Sequence, residues 1–178
     1  MSEAANKGVT TKGSVFPRVN LQIKQIASDL RSWATSYVAE NWGASLLVSR
    51  GNTYQAETLP GFAALEDGQP VGLITYRFDG QECEIVTLNS DIEGKGIGSA
   101  LIAAVEDTAR RSKCARMWLI TTNDNTEAMR FYQKRGFDFK KIHRNAMEES
   151  RRIKPSIPLI GNHGISIKHE IEFEKTLS

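Results

Sequence analysis

The chain has 178 residues, of which 40% are hydrophobic and 25% charged, with a net charge of +2 at pH 7. That length suits one domain with one core, burying roughly 70% of the surface its unfolded form exposes. No apolar run approaches the ~18 residues of a membrane span. The opening stretch MSEAANKGVTTKGS lacks the apolar segment of a secretory signal. Seven Phe, four Tyr and three Trp at low net charge exclude a disordered polymer.

The two cysteines, Cys83 and Cys114, read as free thiols, and a reducing, cytoplasmic setting is expected. The charge is unevenly placed: residues 1–89 carry 7 Lys/Arg against 9 Asp/Glu, and residues 90–178 carry 16 against 12. The basic stretch from Arg130 to Arg144 holds six Lys/Arg against Asp138 alone. It reads as a solvated face or as an attractor for an anionic ligand.

In chain order, residues 1–15 lack periodicity and are expected as a mobile tail, leaving 16–178 as a single domain. Residues 19–25 alternate as a strand does. Residues 28–41 place Leu30, Trp33, Ala34, Tyr37 and Val38 on one helical face, with Gly43 as the stop. Residues 44–61 read as irregular. Strands are expected over 62–65, 71–78 and 82–88, joined by turns at Asp67-Gly68 and Asp79-Gly80, which makes an antiparallel meander.

After residue 95 the period lengthens. Ile97, Leu101, Ala104, Val105 and Thr108 form a helical stripe ending near Arg111. Residues 116–122 are a continuous apolar strand. Asp124 and Glu127 have the spacing of a capping box, and the helix they open ends at Gly136. A strand over 137–143 and a short helix near 146–153 follow. The segment to about 167 is irregular and long enough to suggest a functional loop. Residues 168–175 alternate, with His169, Ile171 and Phe173 on one side and Glu170, Glu172 and Glu174 on the other. The fold class is α+β, a mixed, mainly antiparallel sheet with helices on both faces.

The segment Glu93-Gly94-Lys95-Gly96-Ile97-Gly98-Ser99 lies between a strand and a helix start. Alternating glycines let the backbone turn so that its N–H groups converge, and the helix adds free N–H groups and a positive dipole end. Together these make an anion site suited to phosphate. A dinucleotide fingerprint would need glycine where Ser99 stands, and no P-loop string exists.

This loop resembles the Arg/Gln-x-x-Gly-x-Gly/Ala element of the GNAT superfamily of acyl-coenzyme A-dependent N-acetyltransferases, with Glu93 in the first position. Asn125, Ala128, Tyr132, Gly136 and Phe137 resemble the family's second element at its spacing. The resemblance spans about residues 19–178. It implies a GNAT-like fold with acetyl-CoA as co-substrate and no metal. It further implies that the backbone of Leu88 and Ser90 holds the pantetheine arm where two strands splay. The N–H groups from Gly94 through Ser99, Ile97 among them, would hold the pyrophosphate. Asn125 would contact the arm, Tyr132 would lie near the thioester sulfur, and Lys95, Lys134 and Arg135 would meet the outer phosphate.

An amine attacks a thioester only when neutral, which for a lysine-like amine at pH 7 costs about 4–5 kcal/mol. A carboxylate base offsets that, and Glu84 is the candidate, with Glu82 weaker. Alternation places Glu84 on the same face as Val86 and Leu88, although a plain strand glutamate is an equal reading. Tyr132 is the candidate acid for the leaving thiolate, or else a core tyrosine. Transfer is expected to be direct, since no Cys-His or Ser-His pair is in sight. His143, His163 and His169 read as structural or solvated, without the partners of a zinc site. Arg151, Arg152 and Lys154 are expected to line an acceptor pocket that favours a carboxylate-bearing substrate.

The expected activity is therefore N-acetylation of a small-molecule or peptide amine, by a monomer or homodimer. The alternatives are an acyl-CoA-binding regulatory module without turnover and a nucleic-acid binder. The second lacks any recognition pattern beyond charge, so neither nucleic acid nor membrane is expected as a partner.

Overall fold

The computed structural model describes residues 20–43, 45–49 and 51–177. The tail expected over 1–15 lies outside these described residues. The chain runs β1 (Leu21–Gln25), α1 (Ser28–Trp42), β2 (Leu46–Ser49), β3 (Asn52–Gln55), β4 (Gly61–Glu66), β5 (Gln69–Asp79) and β6 (Glu82–Ser90). It continues with α2 (Ile97–Arg111), β7 (Arg116–Thr122), α3 (Thr126–Gln133), β8 (Asp138–His143), α4 (Ala146–Ile153) and β9 (Glu170–Thr176). Seven strands form one sheet in the order β1-β4-β5-β6-β7-β9-β8. The β6–β7 pair is parallel and its neighbours are antiparallel.

Alternation along the central strands feeds two cores. On one face, Ile74, Tyr76, Cys83, Ile85, Met117 and Leu119 pack against the α2 stripe of Ile97, Leu101, Ile102 and Val105. On the other, Ala63 and Leu73 pack against Leu30, Ala34, Tyr37 and Val38 of α1. Each fully buried Leu, Ile or Val contributes about 1.5–3 kcal/mol, so the sheet is clamped from both sides.

Two departures from regular pairing shape the site. β7 pairs with β6 only from Glu82↔Arg116 to Ile85↔Leu119. Beyond that point Leu88 and Ser90 pair with β5, while Ile120 and Thr122 pair with β9. The parallel strands therefore splay open. The second departure is a bulge: Tyr76 pairs with Ile85 and Thr75 with Thr87, so Val86 is the extra residue. A bulge shifts the alternation by one. Glu84 consequently shares the α1 face with Arg77, whereas Leu88 falls opposite Ile74 on the α2 face. This corrects the expectation that Glu84 and Leu88 share a face.

The region read as irregular holds a hairpin, β2 paired with β3. Its strands are four residues each, and β3 is too polar to show alternation. Of the β9 glutamates that share one side of the alternation, Glu170 and Glu172 are buried. Arg116, paired with Glu82, Glu172 and Glu174, makes the burial of Glu172 tolerable, since a buried charge needs a partner, and Glu170 accepts from Ser150 Oγ.

Candidate active site

A cavity of about 650 Å³ opens on the α2 face of the splay. Its floor is Leu88 and Ser90, its near wall the turn from Glu93 to Gly98, and its far wall Ala128, Phe131 and Tyr132 of α3. Gly94 and Gly96 have φ of +76° and +78°, the left-handed region that favours glycine, and a Cβ at either would project into open space. Helix α2 has no side-chain cap and no acidic residue in its first turn. Its first helical hydrogen bond at this end runs from Ala100 N–H to the Gly96 carbonyl. The amides ahead of it keep their donors for a ligand, at the positive end of the helix dipole. The cradle therefore fits a diphosphate.

The cations divide. Lys134 and Arg135 line this cavity, with Arg130 beside them. Arg135 stacks 3.4 Å over the Phe131 ring and donates from Nε and Nη2 to Ser99 Oγ at 3.0 and 2.6 Å. It thereby ties the end of α3 to the start of α2. Lys95 turns the other way, to Glu66 at 2.5 Å, and is absent from the cavity lining. Glu93 lines the cavity, in the place where the family motif carries Arg or Gln.

Tyr132 is 9% exposed, with its ring edge-on to Phe131 and Phe137. Burial raises its phenol pKa, with Arg135 opposing weakly. The hydroxyl thus stays protonated through the neutral range and can donate. The helix stop at Gly136 (φ +81°) turns Phe137 back under Tyr132, fixing the ring. The N-cap of α3 is Asn125, not Asp124: its Oδ1 accepts from the Ala128 amide at 3.1 Å.

A second cavity, about 240 Å³, lies on the opposite face of the same splay. Val86, Ile120 and Thr122 form its floor, Asn125 its seam with α3, and Leu47, Val48 and Ser49 of β2 one wall. Trp42, Met147 and Ile157 complete the apolar lining. Glu84 lines it and is 2% exposed. It accepts from Arg77 Nε at 2.6 Å and from the Tyr54 hydroxyl at 3.3 Å. The Arg77 guanidinium compensates its charge.

Of the three cations expected here, only Lys154 reaches the lining, donating Nζ–H to the Trp42 carbonyl at 2.7 Å. Burial lowers its pKa. Arg151 turns inward and donates to the carbonyls of Met147, Ile157, Pro158 and Ile167, stapling the 157–167 loop. Arg152 points outward to Glu149. The expected carboxylate-recognising cluster is thus not assembled, because loop carbonyls without strand partners claimed Arg151 first.

Two residues that build this side, Glu170 and Asn123, carry no local site signal in the sequence, and a third, Asp124, reads there only as a helix cap. Glu170 is buried and lines the cavity, accepting from Ser150 Oγ at 3.2 Å. Asn123 Oδ1 accepts from the amides of Lys168 and His169. Asp124 Oδ2 accepts from Asn162 N and Nδ2 at 2.9 and 3.0 Å. A side chain on Gly161 would strike Asp124 at 2.1 Å. The Asn123-Asp124 turn therefore docks the long loop that walls the pocket. The histidines fit local roles: His143 bonds Glu172 at 2.9 Å, and His169 Nδ1 accepts from the Asn145 amide.

The profile of the Acetyltransferase (GNAT) family matches residues 27–137. The uncharacterized protein YdhI of Bacillus subtilis (strain 168) is 46% identical over 144 residues, which cover 80% of this chain and 90% of its own. Among solved structures, an IAA acetyltransferase from Bacillus cereus ATCC 14579 aligns with TM-score 0.65 at 19% identity, covering 89% of this chain and 100% of that one. A GNAT family acetyltransferase from Elizabethkingia anophelis with acetyl-CoA bound aligns with TM-score 0.64 at 19% identity, covering 89% and 99%. The structural likenesses are of fold, and they reproduce the mixed sheet clasped by helices. A splayed parallel pair, an uncapped glycine turn and a family match over most of the chain converge on one assignment: the chain belongs to the GNAT acetyltransferase family.

Proposed function

We propose that this protein transfers an acetyl group from acetyl-CoA to a primary amine by direct attack. The observation that carries the reading is the pair of cavities meeting at one splay: Leu88 lines one and Val86 the other, two residues apart on β6. Coenzyme enters from the α2 face with its diphosphate on the Gly94–Ser99 turn, and the acceptor enters from the α1 face. The amine nitrogen attacks the thioester carbonyl, the N–C bond forms, and the C–S bond breaks with its electron pair going to sulfur.

Glu84 takes the proton that the incoming ammonium must shed, and Arg77 holds that carboxylate in place. The unpaired edge of β6 near Leu88 supplies an N–H to the oxyanion. Tyr132 protonates the departing sulfur, and the nitrogen's remaining excess proton returns to the tyrosine through solvent. An acyl-enzyme is not part of the scheme. Cys83 is fully buried, and burial, with Cys114 and Glu84 nearby, pushes its thiol up to about 12. So high a pKa leaves almost no thiolate to attack.

The test is release of free coenzyme thiol from acetyl-CoA across a panel of amines. Turnover that falls at least tenfold in Glu84→Gln, with acetyl-CoA binding retained, supports the reading. Binding of acetyl-CoA without turnover on any amine points instead to a regulatory module. A Cys83→Ala variant that loses all turnover while staying folded overturns direct transfer.

A further inference from the structure

The acceptor cavity carries more information than the proposed reaction uses. At about 240 Å³ it is smaller than the ~300–1,000 Å³ pockets that hold drug-sized ligands. Its walls are mostly apolar, from Trp42, Leu47, Val48, Ile120, Met147 and Ile157. Its rim is bridged: Lys154, just past α4, reaches the carbonyl of Trp42 at the end of α1. A peptide needs an open cleft through which its backbone can leave, whereas this bridge joins two of the cavity's walls, the end of α1 and the end of α4.

The polar lining is the second observation. Glu84 and Glu170 are both buried and come from different strands on the same face. Glu84 lies on the zipped part of β6, opposite Trp118. Glu170 lies opposite Thr122, at the open end of the splay. Ser49 Oγ, also in the lining, is buried with no hydrogen-bond partner among the described residues. Buried hydroxyls are normally paired, so an unmet one in a cavity wall marks a place for a ligand's polar atom.

Resting on the acetyl-transfer reading, we infer that the acceptor is a compact, cationic amine with an apolar body, not a peptide, and that Glu170 receives its ammonium where β9 passes beside α4. Glu84 lies across β7 from Glu170 and four residues further along it, about 13 Å along the strand direction, so the nitrogen passes inward from Glu170 before it meets Glu84. Apolar walls exclude the water that would otherwise screen the two carboxylates, and they favour a hydrocarbon or aromatic body over a hydrophilic polyamine.

The experiment compares phenethylamine, spermidine and an alanyl peptide with a free N-terminus as acceptors, using thiol release and, separately, calorimetric binding of acetyl-CoA. The expected result is a kcat/KM for phenethylamine at least tenfold above the other two. Glu170→Gln should raise the KM for phenethylamine about tenfold and leave acetyl-CoA affinity unchanged. Val48→Trp, which fills the cavity without touching a charge, should abolish amine turnover while acetyl-CoA still binds, and it decides the matter should Glu170→Gln fail to fold. A peptide or spermidine used as well as phenethylamine, or full amine turnover in Val48→Trp, overturns the inference while leaving acetyl transfer intact. Absence of acetyl-CoA binding in the unaltered protein overturns the reading beneath it.

Discussion

Gly96→Ala separates the cost of backbone strain from the cost of blocking the diphosphate cradle. Gly96 has φ +78°, and no atom lies within 4 Å of a Cβ placed there. In the free protein the substitution therefore adds strain and no clash. An L-residue in this conformation costs about 1–2 kcal/mol, offset by about 0.4–1 kcal/mol from a stiffer unfolded chain. The net loss of ~1 kcal/mol lowers Tm by roughly 2–4 °C in a chain of this size. Bound coenzyme changes the balance, because the methyl projects into the cavity that Gly96 lines. Displacing one charge-assisted hydrogen bond to phosphate costs about 1.5–3 kcal/mol, or about 10- to 150-fold in affinity. Gly68→Ala is the control: its φ is +83° with equally open space, in the β4–β5 turn away from the cavity. Both variants should lose similar Tm by differential scanning calorimetry, and only Gly96→Ala should bind acetyl-CoA weakly by titration calorimetry. Wild-type affinity in Gly96→Ala, or equal weakening in Gly68→Ala, refutes the placement of the diphosphate.

Three further outcomes are expected. Tyr132→Phe should lower kcat about 100-fold, the low end of general-acid effects, with the KM for acetyl-CoA little changed in steady-state kinetics; an unchanged kcat would leave Tyr132 as packing alone. Arg116→Met removes the cation that Glu82, Glu172 and Glu174 share and should destabilise the fold by about 3 kcal/mol in urea unfolding, a loss under 1 kcal/mol arguing against the hub. Burial tends to raise the Glu106 carboxyl, but Lys175 and Arg110 outweigh it and hold its pKa below the usual 4.5. That pair therefore stabilises the fold above the ordinary carboxylate pKa and stops doing so as pH falls through the lowered one. Lys175→Met should be less stable than wild type at pH 7, with the gap closing toward acid in a pH series of thermal melts; a gap that widens contradicts the sign.

Much of this architecture was legible from residue pattern. The α2 stripe, the meander turns and the Gly136 stop are local signals, and each lies where its chemistry demands. The coenzyme cavity was legible for the same reason, since a glycine turn and a helix start are adjacent in the chain. The acceptor side was not. It is assembled from α1, β2, β6, β7, α4 and β9, which are distant in sequence. Glu170 reads as one of three glutamates sharing a side of an alternating strand until β9 is seated between β7 and β8. Arg151 reads as a substrate-binding cation until the loop's carbonyls are seen to need a donor. The bulge at Val86 left no mark in composition, and it alone decided which face Glu84 and Leu88 would take.

A crystal structure with coenzyme A bound tests the central claim most directly. The account predicts the diphosphate within hydrogen-bonding distance of the Gly98 and Ser99 amides, the pantetheine arm along the open edge of β6 by Leu88, and the sulfur in the splay beside Tyr132. A coenzyme seated elsewhere, or one whose sulfur lies outside the β6–β7 opening, contradicts it.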